Sequence, residues 1–379
     1  MVTYPSDWIV KDPYFTLEDS QRVPVTASER PVGTTPYYGA NGVQGFIDGY
    51  THRGEYVLIA EDGANDISDY PVHYVNGKIW VNNHAHAIRG ITGVSDTKYL
   101  SYAFKVIDYS AILVGGTRAK LNGSALRAIT MPLPNLPEQW AIAEVLSGFD
   151  EHLANLDELI TKKKAIRDGA LETLASGRQR LSGFTGYWRD TTLGAIATLN
   201  PVTPVPDTFT YVDLESVQGT EMVTSRRLDK IAAPSRAQRL ASSGDIFFQT
   251  VRPYQRNNYL FKSSAKDVVF STGYVQIRTQ EVPEFLFAAV QQNHFIDQVL
   301  ERCTGTSYPA ITPTALKEVS VRLPKSHSEQ RAIAEVLSGM DEEIRLLAEE
   351  RAKVERLKLG AMDDLLTGRV RLPLEEEAA

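Results

Sequence analysis

Residues 138–151 read EQWAIAEVLSGFDE, and residues 329–342 read EQRAIAEVLSGMDE. At this constant offset of 191, Glu138–Leu181 matches Glu329–Leu372 at 22 of 44 positions. Upstream, after a slip of one residue, SALRAITMPLP (124–134) answers TALKEVSVRLP (314–324). Two copies at so long a period exclude a solenoid and read as a duplicated domain-plus-helix unit. Ile142, Leu146, Phe149, Leu153 and Leu156 step by four and three, as do Ile333, Leu337, Met340, Ile344 and Leu347. That is the spacing of a heptad seam. The stripe is narrow and the opposite faces carry dense charge, so each helix calls for a partner helix rather than only its own domain. Prolines before the start and Gly177 or Gly368 at the exit bound about 38 residues, giving rods of roughly 55–60 Å. Equivalent helices related by a pseudo-two-fold axis meet isologously, which predicts an intramolecular antiparallel coiled coil.

The repeats divide the chain into a first head (1–137), a first repeated helix (138–182), a second head (183–328) and a second repeated helix with an acidic tail (329–379). The heads are unlike each other. Residues 1–137 are rich in glycine and aromatics, with strand-like runs EYVLIAEDG and KIWVNNHAHAI. Residues 183–328 show GDIFFQTVRP and GYVQIRT before a helical stretch, PEFLFAAVQQNHFIDQVLE. The expected fold class is mixed α/β (α+β): two globular domains separated by two long helices, with pseudo-two-fold internal duplication. Duplicated joints carrying diverged domains suit a protein that holds two different recognition heads in one geometry.

Composition sets further limits. No run approaches the roughly 18 apolar residues of a membrane span, and the start, MVTYPSDWIV, lacks a signal peptide. The single cysteine, Cys303, excludes an internal disulfide or cysteine metal cluster. A cytoplasmic protein is the simplest reading. The net charge of −7 argues against a generic nucleic-acid binder. Its distribution is uneven, however, because residues 183–328 carry +2 while the other three segments carry −2, −2 and −5. Seven basic side chains gather between Arg226 and Arg256, opposed only by Asp229 and Asp245. An acidic protein with one such patch can bind a polyanion there.

Motifs for chemistry fail individually. DPYF at 12–15 lacks the second proline of a D-P-P-[YF] amino-methyltransferase motif, and no glycine-rich S-adenosylmethionine loop follows a strand nearby. Asp207, Asp213 and Glu215 lack the lysine of a restriction-nuclease site, and GANGVQG (39–45) has neither the spacing nor the Lys-Ser/Thr of a phosphate loop. His84 and His86 share a strand face, with His73 and His52 nearby, but no cysteine or evident acidic third ligand completes a metal set. The expectation is no catalytic residue, no metal and no cofactor in this chain.

Taken together, the EQ-x-A-I-A-E-V-L-S-G-x-D helices with their G-R-x-R-L exits resemble the DNA-specificity subunits of type I restriction–modification enzymes. The linker GRQRLSGFTGYWRDTTLGAIATL and the head fragments PYYGANGVQGFIDGY, WVNNHAHAI, GDIFFQTVRPYQRNN, STGYVQIR and TSYPAIT resemble that family in the same order, over essentially the whole chain. The resemblance implies that each head is a target-recognition domain reading one half of a bipartite double-stranded DNA target. It implies that the helices set the spacer between half-sites and dock two modification (methyltransferase) subunits. It places S-adenosylmethionine on those partners and ATP on motor–nuclease restriction subunits.

Residue types that contact DNA cluster unevenly. Base contacts come from Arg, Asn, Gln and sometimes Tyr, and phosphate contacts from Lys, Arg and backbone amides. The richest stretch holds Gln249, Arg252, Tyr254, Gln255, Arg256, Asn257 and Asn258. Arg226, Arg227, Arg236 and Arg239 read as phosphate clamps or as a solvated face. Ser307 and Tyr308 lie in a proline-bounded loop. The first head offers Tyr37, Tyr38, Asn41 and Gln44 in a glycine-rich turn, then Asn82, Asn83 and His84, then Arg118 and Lys120. A competing reading keeps the two heads and the coiled coil as a protein-interaction scaffold without DNA binding. Salt-dependent duplex affinity separates the two.

Overall fold

Asn135 and Pro137 fix where the first repeated segment becomes helical. The Asn135 side chain accepts from the Glu138 amide at 2.9 Å, and a proline in the first turn sacrifices only an amide that has no helical partner. The helix runs Leu136–Leu174, and its counterpart runs His327–Leu366. Both end on glycines in the left-handed region, Gly177 at φ +74° and Gly368 at φ +70°. A Cβ at Gly177 would meet the Trp188 ring at 2.8 Å, and one at Gly368 would meet Pro5 at 2.4 Å. Each exit therefore requires glycine both for conformation and for space.

The structure, a computed structural model, describes residues 4–113, 120–305 and 307–373. Arg118 and the terminal LEEEAA lie outside the described residues. The chain divides into two compact units, residues 1–157 with 349–379 and residues 158–348. The division runs through the middle of both long helices. The segments 138–182 and 329–379 are thus each shared between the units, because each half-helix packs with one head.

In the first unit a six-stranded sheet has the order Phe15–Leu17, Ala85–Gly90, His52–Ala60, Val72–Val81, Thr35–Gly39, Gly42–Ile47. All its neighbours are antiparallel except Thr35–Gly39 on Val72–Val81. The amphipathic helix Thr97–Lys105, capped by Asp96, covers one face. Its core joins Tyr14, Phe15, Leu100 and Phe104 to Ile142, Leu146, Met362, Leu365 and Leu366 of the long helices. The half-helices pair antiparallel, with Asp150 on Lys358 and Asp157 on Arg351.

The second unit holds two four-stranded sheets. One orders Ala197–Leu199, Tyr274–Thr279, Ile246–Gln249 and Tyr259–Leu260, and the other Arg226–Asp229, Thr208–Val212, Val268–Ser271 and Ala237–Leu240. Helices Pro283–Ala289 and Asn293–Glu301 pack beside the first sheet, in a core that includes Leu171, Leu174, Ile333 and Leu337. Here too the half-helices are antiparallel, with Lys163 on Glu343 and Arg167 on Asp341. Of the seam residues, Ile142, Leu146, Ile333 and Leu337 belong to the head cores. Leu156 is buried, and Phe149, Leu153, Met340, Ile344 and Leu347 are half-buried along the helices. Among the described residues no helix is long and apolar enough to cross a membrane.

Candidate nucleic-acid interface

Two loops of the second head that lie some fifty residues apart in sequence are joined by backbone. The Arg252 amide donates to the Pro309 carbonyl at 2.8 Å, the Ile311 amide to the Thr250 carbonyl at 3.1 Å, and Val251 bridges Ala310. This sets the Arg252 guanidinium over the Tyr308 ring, 4.4 Å from its centroid. Arg252 and Arg256 both take φ +54°, on either side of the short helix Pro253–Gln255. Left-handed backbone at a non-glycine residue is uncommon and persists where the surroundings over-determine it. Tyr254 and Tyr308 are half or more exposed, at 51% and 64%, and Gln255 and Ser307 are exposed beside them.

Not every polar side chain of Gln249–Asn258 faces outward. Gln249 and Asn258 are buried and hold the loop's shape. The Asn258 carbonyl oxygen accepts from the Gln249 amide at 2.7 Å, and its side-chain nitrogen donates to Gln291 at 3.2 Å. Arg256 donates to the Gln291 carbonyl and to Asn293, at 3.2 and 2.6 Å. The buried amides Gln249 and Asn258 find their partners within the protein, and the half-buried Arg256 is engaged by Gln291 and Asn293.

The basic patch is similarly divided. Arg226 pairs with Asp213 at 2.8 Å and Arg227 pairs with Asp267, both on the edge strand Arg226–Asp229. Arg239 is partly buried on the opposite edge strand, its Nε lacks a partner, and burial pulls its guanidinium below the ordinary value. Arg236 is exposed, with its carbonyl accepting from Thr272. Two of the four cations are thus already neutralised in place.

In the first head most of the predicted residues gather at one end of the six-stranded sheet. The Asn82 amide donates to the Tyr38 carbonyl at 3.0 Å, joining the Gly39–Gly42 turn to the turn at 82–84. Asn41 is exposed, yet its nitrogen donates to the Gly63 carbonyl at 2.8 Å and its oxygen accepts from the Asn65 amide at 2.9 Å. Tyr37 is buried, with its hydroxyl accepting from the Val25 amide and Arg30 over its ring. Tyr38 is half-buried, and burial raises its hydroxyl. Asn82 is buried and accepts from the His84 amide. Asn83, His84 and Gln44 are exposed.

Acidic residues that the sequence did not single out share this end. His84 faces Asp62 at 2.5 Å, and Lys120 faces Glu61 at 2.7 Å and Asp62 at 3.7 Å. Asp19, Glu61 and His86 bring three potential ligand atoms within 4.8 Å of one another, so acids do reach a histidine here. Arg22 already lies 3.2 Å from Asp19 and 2.7 Å from Glu61. His86 has Nδ1 on Asp19 at 2.6 Å and Nε2 on the Leu121 carbonyl at 2.7 Å. Burial works to raise the Glu61 carboxyl, but hydrogen bonds from Lys120 and Arg22 hold it below its ordinary value. A metal ion would have to displace partners from every member, and the arrangement reads as an ion-pair network that closes the sheet end. No sequence signal links Asp19, Arg22, Glu61 and His86, because four separate turns and strands supply them.

Residues 15–165 and 224–356 match the family model of the type I restriction modification DNA specificity domain. A candidate type I restriction enzyme specificity subunit of Haemophilus influenzae, S.HindORF215P, is 37% identical over 142 residues, 38% of this chain and 37% of that protein. The MjaVIII specificity subunit of Methanocaldococcus jannaschii is 23% identical over 325 residues, 74% of this chain and 71% of that protein. A crystal structure of the S subunit of a type I restriction–modification system from M. genitalium has the same fold. It superposes with a TM-score of 0.64 at 18% identity, covering 96% of this chain and 97% of that one. A chain from a structure of type I restriction–modification complex assembly gives 0.54 at 16% identity, covering 97% of this chain and all of that one.

Proposed function

Because this chain belongs to the type I restriction–modification DNA specificity family, we propose that it is the non-catalytic subunit that gives such a complex its DNA sequence. Each head reads one half of a bipartite duplex target, and the long helices set the unread spacer and dock two modification subunits. Those partners hold S-adenosylmethionine, and ATP-driven motor–nuclease subunits complete the cytoplasmic complex. The observation that carries this reading is the family match across both heads and into both long helices, on a chain whose second head presents an arginine stacked on an exposed tyrosine. Phosphate contacts would come from the basic edge strands and base contacts from the loop joined to Tyr308.

The test is long-read mapping of methylated bases in host DNA, with and without the gene, in cells that express the modification partner. Loss of one bipartite motif with a fixed spacer is the expected result. An unchanged methylation pattern overturns the reading and leaves a two-headed protein-interaction scaffold.

A further inference from the structure

The outer end of the loop Gln249–Asn258 carries the side-chain amides of Gln255 and Asn257 and the Arg252 guanidinium. The Asn257 amide donates to Gln249 Oε1 at 3.1 Å. A backbone N–H must face oxygen, so this contact fixes which end of the buried Gln249 amide is which. Its Nε2 therefore donates to Gln255 Oε1, at 2.9 Å. Gln255 is exposed, its oxygen already accepting one hydrogen bond and its NH2 without a partner among the described residues. Asn257 is half-buried, and its oxygen accepts from the Gly219 amide at 2.9 Å.

Arg252 completes the set. None of the described residues accepts a hydrogen bond from its guanidinium, and its Nε is buried without a partner. Tyr308 lies against the guanidinium, 4.4 Å from ring centroid to Cζ, and holds it as a fork. Arg256, four residues on, differs because its guanidinium is bound to Gln291 and Asn293. A guanidinium free of protein acceptors and held flat against a ring is suited to two acceptors side by side, as on a phosphate or on one base edge. In the major groove guanine shows two neighbouring acceptors, N7 and O6, whereas adenine pairs an acceptor with a donor.

Resting on the DNA-recognition reading above, we propose that Arg252 reads a guanine in the half-site of the second head. Gln255 donates to an acceptor beside it. Residue 252 is thereby a specificity-determining position, and adenine is disfavoured at its base pair because a guanidinium, which only donates, would face the adenine N6 amino group.

The experiment maps the methylated motif in cells carrying the full complex with wild-type chain, Arg252→Ala or Arg252→Lys. The wild-type motif is expected to contain a G·C pair in one half-site that both variants relax, with discrimination at that pair falling about 5- to 150-fold. The other half-site should stay as it was. Arg252→Lys keeps the charge and the packing stem, so it decides the matter if Arg252→Ala unfolds. A lysine variant that methylates the wild-type motif at full stringency overturns the inference and leaves the DNA-recognition reading standing. So does loss of methylation in both variants with unchanged thermal unfolding, which would make Arg252 a general anchor. A motif that relaxes at an A·T pair also overturns it. If no motif depends on the gene, it is the underlying reading that falls.

Discussion

His52 and His73 sit in the sheet of the first head, and burial pushes both imidazoles below their ordinary value of 6.5. His52 is satisfied as the neutral ring, with Thr51 Oγ1 on Nδ1 at 2.7 Å and the Glu18 carbonyl on Nε2 at 3.1 Å, while His73 Nε2 has no partner. The folded state disfavours their protonated forms, so below pH 6.5 the unfolded chain binds more protons than the folded one. The stability these residues support is present above 6.5 and is lost as pH falls from there through their lower folded values. Hydrogen exchange of the His52–Ala60 amides should accelerate between pH 7.5 and 5.5 beyond its intrinsic pH dependence. A His52→Gln, His73→Gln variant should show a flatter profile, and an unaltered one would refute the assignment. At this scale residue type leaves one distinction open. An amide that reads a base and an amide that ties a loop are the same residue in a sequence, so Gln249 and Asn258 look the same there as Gln255. Only burial separates them.

Helix and head meet through one motif used twice. Glu329 is buried and takes Arg180 on both carboxylate oxygens, at 2.5 and 2.9 Å, and Trp188 Nε1 at 3.2 Å. At the offset of 191, Glu138 is buried and takes Arg371 on both oxygens, while Arg371 also reaches Asp7 at 3.0 Å and lies over Trp8. A carboxylate out of water depends on its partner, and removing the partner leaves a buried charge. Arg180→Ala and Arg371→Ala should each cost roughly 2–4 kcal/mol, discounted for the partial exposure of the arginines. Urea unfolding followed by fluorescence measures it, and a loss under about 0.5 kcal/mol would mean an ordinary solvated pair. The helices themselves were legible, because a four-three step over five apolar residues needs no tertiary information. Their division between two units was not legible. Ile142 and Leu146 read as seam residues, and only the fold shows a head core closing over them.

For the molecule as a whole, the proposed spacer role makes a quantitative claim. Inserting seven residues, two turns, at equivalent mid-helix positions in both long helices keeps the heptad phase and adds about 10 Å of helix. Methylation mapping of that variant should return the same half-sites with a longer unread spacer, and the same spacer would remove the helices from that role. The heads were legible only as mixed α/β globules, since strand order depends on pairings between distant segments, such as Phe15 with Gly90 or Thr198 with Arg278. The joint shows why the heads could diverge. Gln139 accepts from the backbone amide of Asp96 at 2.8 Å, and Gln330 from that of Val282 at 3.0 Å, while each donates to a proline carbonyl just before its own helix. A backbone amide is present whatever side chain it carries, other than proline's. A gene conversion that replaced the interior of either head, while sparing its edges, would find its socket already cut. A head can then change its surface without reopening the problem of how it is held.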